Sequence, residues 1–252
     1  MVAYVRYWLI KEDKYSIQSP FLYQIYTGLS SFLKKREDED LHIEDYRRSL
    51  LSNYKTIEVN DFGAGSKKVN QRHRKVSNIT RYSTSGRKFA QLYQYFSTIT
   101  PNKTTLELGT CTGISTRYLA SVSRGRLFTF EGSEEIQKIA KKGLDGQSIH
   151  FILGEIRKTL PKVLEQLDSI DFVLIDANHT FSGTIQSFEL IKPKLKKTSI
   201  VAIGDIHWSK EMEKAWDTIK KDEKVKLSID FFEAGILFFS NPGQKEHRVL
   251  NY

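Results

Sequence analysis

The chain has 252 residues, a single cysteine and a formal net charge of +9. That length can bury a sizeable core without a metal or disulfide staple, and one cysteine, Cys111, excludes an internal disulfide, so a reducing compartment and the cytoplasm are expected. No apolar run approaches the length that crosses a bilayer, which excludes a transmembrane segment as the sequence reads.

Helical runs are predicted near 2–10, 20–34 and 40–53, followed by a strand-like Thr56 to Val59. The first run is apolar and aromatic, interrupted by Arg6 and ended by Lys11-Glu12-Asp13-Lys14. Its expected role is a helix packed on the domain or at a homodimer contact, with membrane-surface attachment the lesser alternative. Tyr4, Tyr7, Trp8, Phe21 and Tyr23 are read as core before pocket wall, and the charge-rich stretch Lys34 to Asp40 as a mobile loop. From Phe62 to Leu106 the chain carries Lys67, Lys68, Arg72, Arg74, Lys75, Arg81, Arg87, Lys88 and Lys103 with no acid. Such a segment can draw phosphates, an RNA backbone or an anionic substrate, although it lacks the interleaved aromatics that single-strand RNA readers use. Asp61-Phe62-Gly63-Ala64-Gly65-Ser66 imitates a cofactor loop, but no apolar helix and second strand follow, so a turn is expected, either structural only or part of a substrate lid with the basic segment.

The most informative run is Thr105-Leu106-Glu107-Leu108-Gly109-Thr110-Cys111-Thr112-Gly113-Ile114-Ser115: a buried strand, a glycine loop and a helix start. Glycines after a strand let the backbone approach a ligand, a geometry that also serves dinucleotides. A second apolar strand, Arg126 to Phe130, ends in Glu131 and Gly132, about 20 residues beyond the loop, where a carboxylate can hold a ribose diol.

Leu106 to Ser115 resembles the cofactor motif of class I S-adenosylmethionine-dependent methyltransferases, closest to the catechol and caffeoyl-CoA O-methyltransferase group, with Cys111 in place of a middle glycine. The resemblance runs from about Lys103 to Ser240. It implies that Glu107, Gly109, Thr110, Cys111, Gly113, Ser115, Glu131 and Gly132 bind S-adenosylmethionine, Glu107 meeting its amino group.

Beyond the motif, strands are expected near 104–109, 126–131, 148–153, 171–176 and 199–204, alternating with helices near 114–122, 134–142, 155–167, 180–195 and 209–221. Lys224 to Phe232 and Ala234 to Ser240 are separated by so little that they must pair as an antiparallel hairpin. The fold class is therefore α/β: a Rossmann-like seven-stranded methyltransferase sheet with an antiparallel last strand, residues 101–252, plus a mainly helical, basic cap over 1–100. The antiparallel insertion argues against a nicotinamide dehydrogenase.

Three loops at strand ends are candidates for chemistry. Glu155 and Ile156 stand where the resemblance implies adenine contacts, Glu155 serving equally as a first-turn acid of its helix. Asp176 ends a strand with His179 three residues on; in the resembled group this aspartate binds a divalent metal and a lysine at the His179 position is the general base. An imidazole, with an unperturbed pKa of about 6.5, can take that role. Asp205 begins the third loop, but Ile206 replaces the asparagine that would complete an oxygen-ligand site, so the metal pair Asp176 and Asp205 is incomplete unless His179 and His207 supply nitrogen. Asp176, His179, Asp205 and His207 are the catalytic candidates, with metal-free transfer preferred over a divalent metal. No Asn-Pro-Pro-Tyr motif follows the fourth strand, which argues against base amino-group methylation. O-methylation of a small-molecule acceptor is the leading expectation; an RNA methyltransferase and a catalytically silent interaction protein are the alternatives.

Overall fold

The computed structural model of the protein describes residues 2–59, 72–144 and 148–252. The Asp61 to Ser66 glycine turn, with Lys67 and Lys68, lies outside the described residues. The N-terminal part builds α1 (Val2–Ile10), α2 (Pro20–Glu39), α3 (Leu41–Leu51), β1 (Thr56–Glu58), β2 (His73–Lys75), α4 (Val76–Ser83) and α5 (Arg87–Thr98). Then come β3 (Thr104–Leu108), α6 (Ile114–Ala120), β4 (Arg126–Glu131), α7 (Glu134–Lys141), β5 (Ile149–Leu153), α8 (Ile156–Glu165) and β6 (Ile170–Ile175). The chain closes with α9 (Phe181–Ile191), β7 (Leu195–Gly204), α10 (Lys210–Ile219), β8 (Leu227–Asp230), β9 (Ala234–Phe238) and β10 (Glu246–Val249).

The main sheet runs β10-β8-β9-β7-β6-β3-β4-β5, and a separate antiparallel pair joins β1 to β2. Among the described strands of this sheet only β9 opposes its neighbours, inserted between β7 and β8 and paired with β8 as the hairpin reading expects. Among the described residues the sheet has eight strands where seven were expected. The extra one, β10, pairs parallel to β8 at the edge, and its polar Glu-His-Arg-Val sequence gives no apolar signal. Chain order reverses beside β3, which lies between β4 and β6. In open α/β sheets ligands settle in the crevice at such a switch point, outside the carboxyl ends of the strands.

Strands β3 and β6 are buried at every position, the mark of a parallel sheet covered on both faces. Successive side chains point to opposite layers. Val173 and Ile175 pack with Leu160, Phe188 and Trp216 of α8, α9 and α10, whereas Phe172 and Leu174 pack with Leu22, Leu29, Leu92 and Phe96 of α2 and α5. The N-terminal helices are thus one of the two layers of the sandwich. A third cluster joins Ile43, Val76 and Ile79 of α3 and α4 to Ile114, Tyr118, Ile136 and Ile139 of α6 and α7.

Two N-terminal expectations are corrected. Lys34 to Asp40 is no loop: α2 continues to Glu39, because Arg36 pairs with both Glu39 and the buried Asp40. The described part of the basic segment is largely helical, in α4 and α5, and three of its cations have partners: Arg72 pairs with Glu58, Arg87 donates to the Glu37 carbonyl, and Lys88 donates to the Tyr252 carbonyl. Tyr4, Trp8 and Tyr23 are exposed rather than core, and among the described side chains of α1 only Tyr7 is buried. No helix among the described residues is long and apolar enough to cross a membrane.

Candidate active site

The glycine loop leaves β3 and enters α6 through two left-handed residues, Gly109 at φ +113° and Gly113 at φ +79°. A side chain at Gly109 would collide with the Asp176 carbonyl, so this glycine lets the loops after β3 and β6 touch at the switch point. A Cβ at Gly113 would crowd Ala140 of α7 at 3.0 Å. Cys111, at the position of the missing glycine, also adopts positive φ, +46°, and its burial pushes the thiol pKa up. It is a packed residue and a poor nucleophile.

Two carboxylates flank this loop in different ways. Glu107 is fully buried; the hydroxyls of Thr116 and Thr129 both donate to its Oε2 at 2.6 Å, and Thr110 bonds Thr129 at 2.5 Å behind them. Its Oε1 has no partner. Burial raises its pKa to about 7, although the Thr116 and Thr129 hydroxyls favour the ionised form. Glu131 is only partly buried, and each of its oxygens accepts one backbone N–H at 2.9 Å, Oε2 from Cys111 and Oε1 from Ser133. Those two bonds fix the carboxylate plane. Gly132 lies between Glu131 and the buried Ser133.

Residues that the sequence reading missed brace the loop from behind. Tyr46 of α3 donates to the carbonyls of Thr112 and Ile139, at 3.3 and 3.0 Å, and the Arg117 guanidinium lies 3.6 Å from the centre of its ring. Arg117 donates in turn to the carbonyls of Gly113 and Ala140. A tyrosine some sixty residues upstream of the loop carries no local signal of this contact.

Across the crevice Asp176, His179 and Asp205 converge, with ligand atoms within 4.8 Å of one another. His179 Nε2 lies 3.8 Å from Asp205 Oδ2, and Ser85 donates to Asp176 Oδ2 at 3.0 Å. Gly204 leaves no room for a side chain, because a Cβ there would meet the Asp176 carboxylate. Burial, then the charge of Asp176, raises the Asp205 pKa to about 6, His179 pulling the other way. Asn178, His179 and Asp205 all adopt positive φ, at +65°, +38° and +56°, so three side-chain-bearing residues hold conformations that favour glycine. Trp208 packs against the His179 ring with centroids 5.8 Å apart.

His207 is not part of this group. Its Nε2 bonds Asp230 Oδ2 at 2.8 Å, its Nδ1 faces Glu213 at 3.5 Å, and its ring stacks on Phe232. Burial lowers its pKa, but Asp230 and Glu213 outweigh burial and leave it raised. Ile206 is fully buried in the main core, so the asparagine position of the resembled group is closed to any ligand role. Glu155 is the N-cap of α8 and pairs with Lys158 at 3.1 Å and with Arg157, its pKa lowered by Lys158 first; Ile156 packs against the main core.

An eight-stranded sheet with one inserted antiparallel strand, a glycine loop at its switch point and acids at the ends of β3 and β4 define the class I methyltransferase fold. Residues 106–206 match the family model described as a methyltransferase domain. No curated protein matches the chain. Among solved structures, a candidate caffeoyl-CoA O-methyltransferase from Staphylococcus aureus is 16% identical, with 84% of this chain and 99% of that one covered at a TM-score of 0.59. An O-methyltransferase from Bacillus cereus in complex with S-adenosylhomocysteine is 16% identical over 85% of this chain and 99% of that one, TM-score 0.57. The O-methyltransferase TomG from Streptomyces achromogenes, in complex with S-adenosylmethionine, is 16% identical over 64% and 83%, TM-score 0.53.

Proposed function

We propose that the protein is an S-adenosylmethionine-dependent methyltransferase that methylates a hydroxyl of a small-molecule acceptor. The observation that carries this reading is the pair of acids around one glycine loop: Glu107 with a buried, unpartnered oxygen, and Glu131 with both oxygens oriented by backbone N–H groups. The first suits a cationic amino group and the second a ribose diol. Gly109, Gly113 and Ser115 would line the approach, with Glu155 and Ile156 at the base.

When bound, S-adenosylmethionine supplies an electrophilic methyl group. What the protein must add is alignment and removal of the acceptor proton. His179 is the proposed base, since it projects from the loop after β6 and Asp205 stands 3.8 Å away to stabilise the imidazolium that forms. His207, held by Asp230, acts as a positioning residue for the loop that carries Asp205.

The convergence of Asp176, His179 and Asp205 supports a second reading, in which the three hold a divalent cation that binds the acceptor oxygen. Two carboxylate oxygens and one imidazole nitrogen suit a transition ion such as manganese better than magnesium. The deciding experiment is isothermal titration of S-adenosylhomocysteine, once with a chelator and once with manganese or magnesium. Micromolar binding in both buffers supports the first reading and a gain with manganese the second. No binding in either would overturn the enzyme reading and leave an interaction protein.

A further inference from the structure

Helix α1 turns apolar side chains to solvent along most of its length: Tyr4, Val5, Trp8, Leu9 and Ile10 are between 51% and 69% exposed. It is nevertheless held firmly. The buried Tyr7 hydroxyl donates to the Leu250 carbonyl at 2.7 Å, the Tyr4 and Tyr7 rings pack on Phe232 at 5.1 and 5.3 Å, and Glu12 exchanges backbone hydrogen bonds with Val249 and Asn251. A helix so rich in exposed apolar side chains, with Tyr7 its one buried residue among those described, leaves its outer face unexplained by the fold.

What surrounds that face identifies its partner. Arg6 projects from the helix, Lys11 lies 6.0 Å from the Trp8 ring, and Lys14 lies 4.7 Å from the ring of Tyr15, itself 84% exposed. Of the two intervening acids, Glu12 pairs with Arg248 at 3.5 Å and Asp13 is folded into its own turn, accepting from the Tyr15 and Ser16 N–H groups. Exposed aliphatics rimmed by tryptophan, tyrosine and lysine match the boundary between acyl chains and anionic headgroups. At nine residues, about 14 Å at 1.5 Å per residue, the helix can lie in that boundary but not span it. A second copy fits less well, because a two-fold contact would bring two copies of this basic rim, Arg6, Lys11 and Lys14, onto one seam.

We propose that α1 is an interfacial helix that docks the protein on an anionic lipid surface. The proposal is independent of the methyl-transfer reading. Its test is sedimentation of the full chain with vesicles of phosphatidylcholine, with and without phosphatidylglycerol, at low and high salt, for the wild type, Leu9→Glu and Trp8→Ser. Light scattering gives the mass of each form, and circular dichroism confirms that each is folded. Binding should require phosphatidylglycerol, weaken with salt, and fall about tenfold or more in either variant. Three results would overturn it: no sedimentation with either vesicle, equal sedimentation of wild type and variants, or a dimer that Leu9→Glu dissolves, which would assign the face to a second copy.

Discussion

The two sides of the crevice solve the same backbone problem differently. On the β3–β4 side the tight turns fall on glycine: Gly109 and Gly113 take positive φ, and only Cys111 departs. On the β6–β7 side they fall on Asn178, His179 and Asp205, with Phe232 at φ +73° beside them. Non-glycine residues in this region cost of order 1–3 kcal/mol each, so a fold keeps them where the side chain is needed. On the proposed reading, the contrast separates a cofactor side from a side that would present the reacting groups.

The largest effect expected is at Gly109. Gly109→Ala puts a methyl group into the Asp176 carbonyl at a φ of +113°, and S-adenosylhomocysteine affinity should drop by roughly 100-fold or more. Titration calorimetry on a variant with native circular dichroism checks this, and retained affinity would break the assignment of that side. Next comes the opposite side, where His179→Ala and Asp205→Asn should each lower kcat by roughly 100-fold or more while cofactor affinity stays within about threefold. An equal loss of binding would mean that the two sides are not separable.

Acidity sharpens the comparison. The Asp205 carboxyl takes up a proton as pH falls through about 6, removing the negative charge beside His179, so kcat should decline below that pH. In Asp205→Asn this part of the acid limb should disappear from the pH profile. Glu107 works in the opposite compartment. With a pKa near 7 it is about half protonated at neutral pH, and a cationic partner favours its ionised form. Cofactor binding should therefore release a fraction of a proton at pH 7 and tighten several-fold between pH 6 and 8; calorimetry in buffers of different ionisation enthalpy reads that fraction, and a value of zero would remove Glu107 from the contact. The smallest effect concerns the brace: Tyr46→Phe, losing hydrogen bonds to Thr112 and Ile139, should cost about 1 kcal/mol of stability, measured by urea unfolding.

Legibility followed the same division. From Thr104 to Phe238 the strands and helices fall within a few residues of the periodic reading, because apolar strands alternate with amphipathic helices; the polar β10 beyond them was not legible. The hairpin and its antiparallel strand were readable from the shortness of the link. Helix α5 was not: its buried Gln91 and Gln94 look like surface residues until Asp40, some fifty residues away, supplies their acceptor. The glycine loop and its acids are one contiguous stretch, whereas Ser85, Tyr46 and the Asp230 partner of His207 reach the crevice from remote segments. Ile206 was legible as the loss of a ligand, but its burial in the core is a property of packing alone.

The hydrogen bond from Tyr7 to the Leu250 carbonyl joins residues 243 positions apart. A contact of that separation forms only after β10 has emerged and joined β8, so α1 should be among the last elements to dock as the chain folds. In the finished protein that late contact is expected to open first, and amide exchange in α1 should report an event smaller than global unfolding.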